Sequence, residues 1–161
     1  MSNSFKAIQA IHSYTLHLNA ATNVIFPLLC PTREYEWIDG WNCELIHSQS
    51  GFAEDNCIFT THFPNQGDPE VWVVSLYEPN HEIQFVRVNN LRVIRFIITL
   101  TDRNDGTTEV VWKHIATGLN EYGNRWVQEY SEDKFRQSVQ IRERMLNHFL
   151  ATNEMLHICP D

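Results

Sequence analysis

Two arginines, Arg87 and Arg92, flank an Asn89-Asn90 pair that separates two strand-like runs. If the asparagines form a two-residue turn, the arginines face each other across a hairpin. Like charges placed so repel unless an anion or carboxylate lies between them. A guanidinium fork binds carboxylate or phosphate bidentately, so the pair is a candidate clamp for an acidic ligand group. The competing reading is that both reach into water or pair with Glu70 or Glu78. His114 shares the arginines' face of the sheet. It is a candidate general acid or base near neutral pH, or else a buried imidazole bonded to a neighbour. If any reaction occurs, His114 and Arg87 are the candidate catalytic residues. Trp112, two positions away, can wall a cavity and stack on a flat ligand.

Other chemistries have no motif behind them. His47, His62 and His81 fall on different strands, and no H-x-x-x-H or H-E-x-x-H spacing occurs. Cys30, Cys43, Cys57 and Cys159 form no C-x-x-C pair, so neither a metal nor a disulfide framework is expected. No P-loop, G-x-G-x-x-G or G-x-S-x-G is present, and no cofactor is expected. The net charge of -8 argues against nucleic acid as a partner. No apolar run approaches the roughly 18 residues that would span a bilayer. The N-terminal residues lack a signal-peptide pattern. A single domain over residues 1–161, cytoplasmic with reduced thiols, monomeric or homodimeric, is the expectation.

The elements that must position these residues follow from periodicity. Ile8, Ala10, His12, Tyr14, Leu16 and Leu18 alternate as a strand does. Asn19 offers an N-cap for a short helix to Leu28, and Pro31 suits the first turn of a second, ending before Gly40. Strand-like runs follow at residues 42–48, 57–63, 71–78, 81–88, 91–102 and 107–118, broken by Gly, Asn, Asp and Pro at the turns. Ser131 caps a long helix to about Ala151. Its expected inner stripe runs through Phe135, Ser138, Val139, Ile141, Met145, Leu146, Phe149 and Leu150, with Glu132 and Arg136 paired outside.

Two-residue turns at Pro79-Asn80 and Asn89-Asn90 set expected registers. The first pairs Leu76 with Ile83, Val74 with Phe85 and Trp72 with Arg87. The second pairs Phe85 with Ile94 and Ile83 with Phe96. Both gather large apolar residues on one face, which a slip of one residue would undo. The concave face is then Trp72, Val74, Leu76, Ile83, Phe85, Ile94, Phe96, Ile98, Val110, Trp112 and His114. Trp37 and Trp41 read as a gate over that face or as core plugs.

The element order and the segment Val24-Ile25-Phe26-Pro27-Leu28-Leu29-Cys30-Pro31-Thr32-Arg33-Glu34-Tyr35-Glu36-Trp37-Ile38-Asp39-Gly40-Trp41 resemble bacterial SRPBCC proteins, the superfamily of START domains, pollen allergens and aromatic polyketide cyclases. The closest likeness is to an uncharacterised bacterial subgroup. The resemblance implies an α+β helix-grip fold: a curved antiparallel sheet of about seven strands wrapped on a long C-terminal helix, with a cavity roofed by the short helices. The expected cavity lining is Trp72, Val74, Leu76, Ile83, Phe85, Arg87, Arg92, Ile94, Phe96, Trp112 and His114, with Met145 and Phe149 from the helix. The leading expectation is binding or transport of a small hydrophobic molecule, lipid included, with an acidic group as an option. The rivals are a cyclase/dehydratase-like enzyme and a chaperone-activator-like interaction module.

Overall fold

Alternating apolar residues on successive runs make strands, and short turns between them make neighbours antiparallel. The computed structural model, which describes residues 4–63 and 68–158, contains seven strands. They are β1 (Gln9–Leu18), β2 (Cys43–His47), β3 (Ile58–Thr61), β4 (Glu70–Glu78), β5 (Glu82–Val88), β6 (Arg92–Asp102) and β7 (Thr108–Gly118). They form one curved antiparallel sheet in the order β1-β7-β6-β5-β4-β3-β2. β2 to β7 are a meander. β1 and β2, consecutive in sequence, lie at opposite edges, so the chain between them must cross from one side of the sheet to the other. That crossing holds α1 (Thr22–Ile25), a 3-10 turn at Phe26–Leu29 and another at Glu34–Glu36. The capping residue is Ala21, not Asn19, and the turn after Pro31 never becomes an α-helix. Residues 64–67 of the Pro/Gly-rich connection, and Cys159, lie outside the described residues. Cys30, Cys43 and Cys57 are free thiols.

Both hairpin registers differ from the two-residue-turn expectation, in instructive ways. In β4–β5 the pairs Val74–Phe85 and Trp72–Arg87 form as expected, but a bulge between Val74 and Leu76 puts Tyr77, not Leu76, opposite Ile83. Asn80 takes the left-handed conformation, φ 68°, and shifts the end pair to Glu78–Glu82. In β5–β6 the register moves by two residues, so Phe85 meets Phe96, Ile83 meets Ile98 and Arg87 meets Ile94. The loop is longer because the Asn89 side-chain oxygen accepts from the Leu91 and Arg92 N–H groups at 2.9 and 3.0 Å. A slip of two keeps every side chain on its face, so the apolar pattern is equally content with either register.

Two helices close the concave side. Ser131 caps α3 (Glu132–Thr152) by accepting from the Lys134 N–H, and Asn153 ends it in the left-handed region. The stripe of α3 turned to the core holds Phe135, Val139, Met145, Leu146 and Phe149. Ile141 is instead exposed, and Arg136 pairs with Asp133, not Glu132. Before α3 lies α2 (Glu121–Glu129); the pattern turns helical after Asn120 in the sequence, but it did not mark this stretch as a helix of its own. Asn120 caps it, accepting from the Gly123 N–H at 2.9 Å. Gly123 sits so close to the strand ends that a Cβ there would stand 1.8 Å from the Leu91 carbonyl oxygen. The buried Asn124 next to it holds the segment before β1, accepting from the Ile8 N–H and donating to the Lys6 carbonyl.

Because the obstacle at Gly123 is backbone, Gly123→Ala should push α2 off the sheet and cost about 1–3 kcal/mol, as overpacking does. Glu121→Ala on the same helix is the exposed control. Denaturant melts showing the two variants equally stable would refute the close approach.

Candidate functional site

The concave face and the helices do not meet everywhere. Between them lies a cavity of about 670 Å³, within the usual range of small-molecule sites, about 300–1,000 Å³. Its sheet wall is aromatic: Trp72, Phe85, Phe96 and Trp112, with Phe59 from β3. These rings pack as a continuous surface. Phe59 stacks on Trp72 at 5.1 Å, and Phe96 meets Trp112 edge-on at 5.1 Å. Val139, Ser138 and Arg142 of α3 form another wall, and Trp126 of α2 with Tyr130 just after it closes one end. Leu29, Glu34, Ile38 and Trp41 form the roof. Trp37 is fully buried and is a core plug, whereas Trp41 faces the cavity.

Arg87 and Arg92 both line the cavity, and the carboxylate between them belongs to the protein. Glu70, the first residue of β4, accepts from Arg87 Nε and Nη2 at 3.1 and 2.8 Å and from Arg92 Nη1 at 2.9 Å. The arginines are not directly opposed: Arg87 pairs with Ile94 and Arg92 with Gly118. Each guanidinium also lies on an indole, Arg87 4.1 Å from the Trp72 centroid and Arg92 4.4 Å from that of Trp126. Such stacking suits the planar, weakly hydrated guanidinium. Burial pushes the Glu70 carboxyl up, but the charges and hydrogen bonds of both arginines outweigh it and hold it below its ordinary value. Burial lowers Arg92 despite Glu70, yet a guanidinium starts so high that it stays charged. One carboxylate against two arginines leaves this end of the cavity positive.

Comparisons with known proteins place this architecture. No protein-family model matches the chain, and no curated protein matches it. Solved structures do. An uncharacterised protein from Rhizobium leguminosarum superposes with a TM-score of 0.65 at 15% identity, covering 91% of this chain and 97% of that one. Norcoclaurine synthase from Thalictrum flavum, a point mutant with a transition-state analogue, gives 0.69 at 10% identity over 93% of this chain and 99% of that one. DynU16, from the dynemicin biosynthetic locus, gives 0.60 at 15% identity over 89% of this chain and 48% of that one, so the chain spans about half its length. The fold is the helix-grip fold that these structures share.

In this helix-grip chain the polar residues of the cavity are held in unusual states. His114 is buried among Phe96, Phe135 and Tyr130. Burial, then the charges of Arg87 and Arg92, push its imidazole well below the ordinary value, so it is neutral at pH 7. Glu34 does the reverse. It is half-buried, and its side chain faces the cavity from the roof. Burial raises its carboxyl well above the ordinary range, and Arg142 and Arg87 only partly pull it back. Burial also raises Tyr130. A carboxyl tending to keep its proton and an imidazole tending to lose one thus line the same space.

Eight of the expected lining residues do line it: Trp72, Phe85, Arg87 and Arg92, and also Ile94, Phe96, Trp112 and His114. The others do not. Val74 is fully buried in the core, and the bulge turns Leu76 off the concave face. Ile83 lines a separate pocket of about 360 Å³ beside Phe26 and Tyr77. Met145 and Phe149 pack in the core farther along α3. Among the lining residues that the sequence reading did not assign to the cavity are Glu34, Trp126, Tyr130 and Arg142. Arg142 left a signal, since it falls seven residues after Phe135 and therefore on the same helix face. Trp126 and Tyr130 were hidden with α2, and nothing in the sequence marked Glu34.

The sign of each shift gives a prediction. Glu70, depressed in the fold, stabilises above the unfolded carboxyl's value of about 4.5, and that contribution is lost as pH falls through the lower folded value. Glu70→Gln should therefore cost about 3–5 kcal/mol at pH 7, because two buried arginines lose their counter-charge. Urea melts should show the gap from wild type narrowing below pH 4.5. A gap that does not change with pH would contradict the ion pair. His114, also depressed in the fold, acts in the same direction but in a higher pH range. Below about 6.5 the unfolded chain takes up a proton there and the folded chain does not, so stability falls with falling pH. His114→Leu should flatten stability between pH 7 and pH 5.5, and an unchanged slope would place the imidazole in water.

Proposed function

We propose that the chain binds a small, largely apolar, flat molecule in the 670 Å³ cavity, with an acidic group turned toward the arginine end. The observation that carries this is the cavity itself. Cores ordinarily hold few voids larger than water, and this one is walled by aromatic faces and edged with charge. Glu70 carries one negative charge against the two arginine charges beside it, and Arg142 of α3 also lines the cavity. An open cavity behind the long helix also weighs against the interaction-module reading, which a filled core would favour. Norcoclaurine synthase, with a transition-state analogue, has a similar fold at 10% identity. That likeness supports the architecture of a ligand-holding cavity and leaves the ligand to the residues.

One observation favours a second reading, proton transfer of the cyclase/dehydratase kind. Glu34, tending to stay protonated, and His114, tending to stay neutral, are an acid and a base facing one cavity. A carboxyl shifted toward its protonated form and an imidazole shifted toward its neutral form, facing one space, suit acid–base chemistry. In that reading Arg87 acts through Glu70, since its Nε and Nη2 are already engaged there.

Calorimetric titration with 2-naphthoic acid and its methyl ester tests the first reading. The acid should bind about tenfold more tightly than the ester, the worth of one charge-assisted hydrogen bond. Arg142→Leu and Arg87→Leu should each shrink that preference. Arg87→Leu should also lower stability, because it leaves Glu70 to Arg92 alone. Equal affinity for acid and ester would remove the acidic group from the proposal. Failure of both to bind would sink ligand binding.

A further inference from the structure

Among the described residues, three buried side-chain nitrogens have no hydrogen-bond partner: Arg92 Nε, Trp112 Nε1 and His114 Nδ1. All three side chains line the cavity, and the residues are only 3%, 7% and 6% exposed. Buried polar groups in native proteins are nearly always paired, so such exceptions call for a cause. The other indoles show that this fold can supply partners. Trp37 donates to the Leu28 carbonyl at 2.8 Å, Trp41 to the Pro31 carbonyl at 2.8 Å and Trp72 to the Thr61 hydroxyl at 2.9 Å. Trp112 borders the same cavity as Trp41 and Trp72, and unlike theirs its N–H has no partner.

The three nitrogens fall into two groups along the sheet. Trp112 and His114 occupy successive inward positions of β7, about 7 Å apart along the strand at about 3.4 Å per residue. Arg92 stands level with Gly118, four residues beyond His114 and so about 13 Å from it along the strand. Apolar Ile94 lines the cavity between them. Arg92 belongs to the positive, arginine end already described. The Trp112–His114 group is a second polar station, surrounded by the rings of Phe96, Phe135 and Tyr130.

We infer that Trp112 and His114 together bind a hydroxyl oxygen carried on the ligand's ring system, remote from its acidic group, so that the cavity takes hydroxylated aromatic acids. The inference rests on the ligand-binding reading above and narrows it. An indole N–H can only donate, while a neutral imidazole nitrogen donates or accepts according to its tautomer. A hydroxyl accepts from Trp112 and can serve His114 in either tautomer. A ring without oxygen, or a plain alkyl chain, would leave both nitrogens as they stand.

The test compares 2-naphthoic acid with 6-hydroxy-2-naphthoic acid, by calorimetry at pH 7. The hydroxyl should tighten binding to wild type about fivefold, the typical net worth of one hydrogen bond. Trp112→Phe keeps a ring in the wall and removes the donor, so whatever it costs the parent acid, the gain of the hydroxylated acid over the parent should vanish. His114→Leu should reduce the gain as well, and it decides the matter if Trp112→Phe does not fold, as thermal melting without ligand will show. No gain in wild type, or a gain that survives both substitutions, overturns the inference. Parent-acid binding without a hydroxyl gain overturns it while leaving the ligand-binding reading intact. Failure of both acids to bind overturns both.

Discussion

One helix cannot cover seven strands. At about 4.8 Å between neighbours the sheet is roughly 29 Å wide, while a helix with its side chains is about 10–12 Å across. Curvature helps, but α3 packs mainly along β1, at one edge. The remaining concave surface must be covered by α2 and by the crossing segment from Thr22 to Trp41. Three covers that approach from different sides meet imperfectly, and the cavity is where they fail to meet. The close contacts set the limits of that space. Gly123 lets α2 touch the strand ends at Leu91, and the fully buried Trp37 anchors the roof through the Leu28 carbonyl.

Within that space the costly element is charge. Two arginines reach a largely apolar interior and are made tolerable by three means at once: the Glu70 carboxylate, the indole faces beneath them, and a net charge that stays positive only locally in a chain of net charge -8. Glu70 is thus both a structural counter-ion and a limit on the site. It engages the Arg87 fork that would otherwise grip a ligand carboxylate. On the proposed reading, an incoming acid would meet the residual field of this group and not an empty clamp. The same field, added to burial, keeps His114 neutral, and two of the three arginines lower the Glu34 carboxyl against the larger effect of its burial.

The cavity's neutral groups carry a different kind of information. Aromatic walls select flatness and area, which many molecules share. Unpaired donors select atoms, because a buried N–H without a partner costs about 1–3 kcal/mol until something accepts from it. On the proposed ligand-binding reading, Trp112 and His114 would discriminate among ligands that the rings alone would treat alike. Acid–base chemistry by Glu34 and His114 and recognition by His114 are compatible, since a neutral imidazole can bond a hydroxyl and also move its proton.

The sequence by itself determined the order of the seven strands and the final helix, the face of the strand residues outside the β4 bulge and most of the aromatic wall. These follow from the period of two in strands, which survives a register shift of two, as at Arg87–Ile94. It determined the start of α3 as well, since a serine cap is a local interaction. Tertiary structure decided the rest. The Val74–Leu76 bulge, which exchanges Leu76 for Tyr77, comes from fitting one hairpin to its neighbours. α2 contains Gly123 and Asn124, weak helix formers that are chosen for contact with Leu91, Ile8 and Lys6. Glu70 reaches Arg87 and Arg92 across 17 and 22 residues. Local sequence named Glu70 among the possible partners, but only the packed strands bring its carboxylate between both guanidiniums. What the cavity demands of a ligand depends on which buried atoms are left unpaired, and that is known only once every other partner has been assigned in three dimensions.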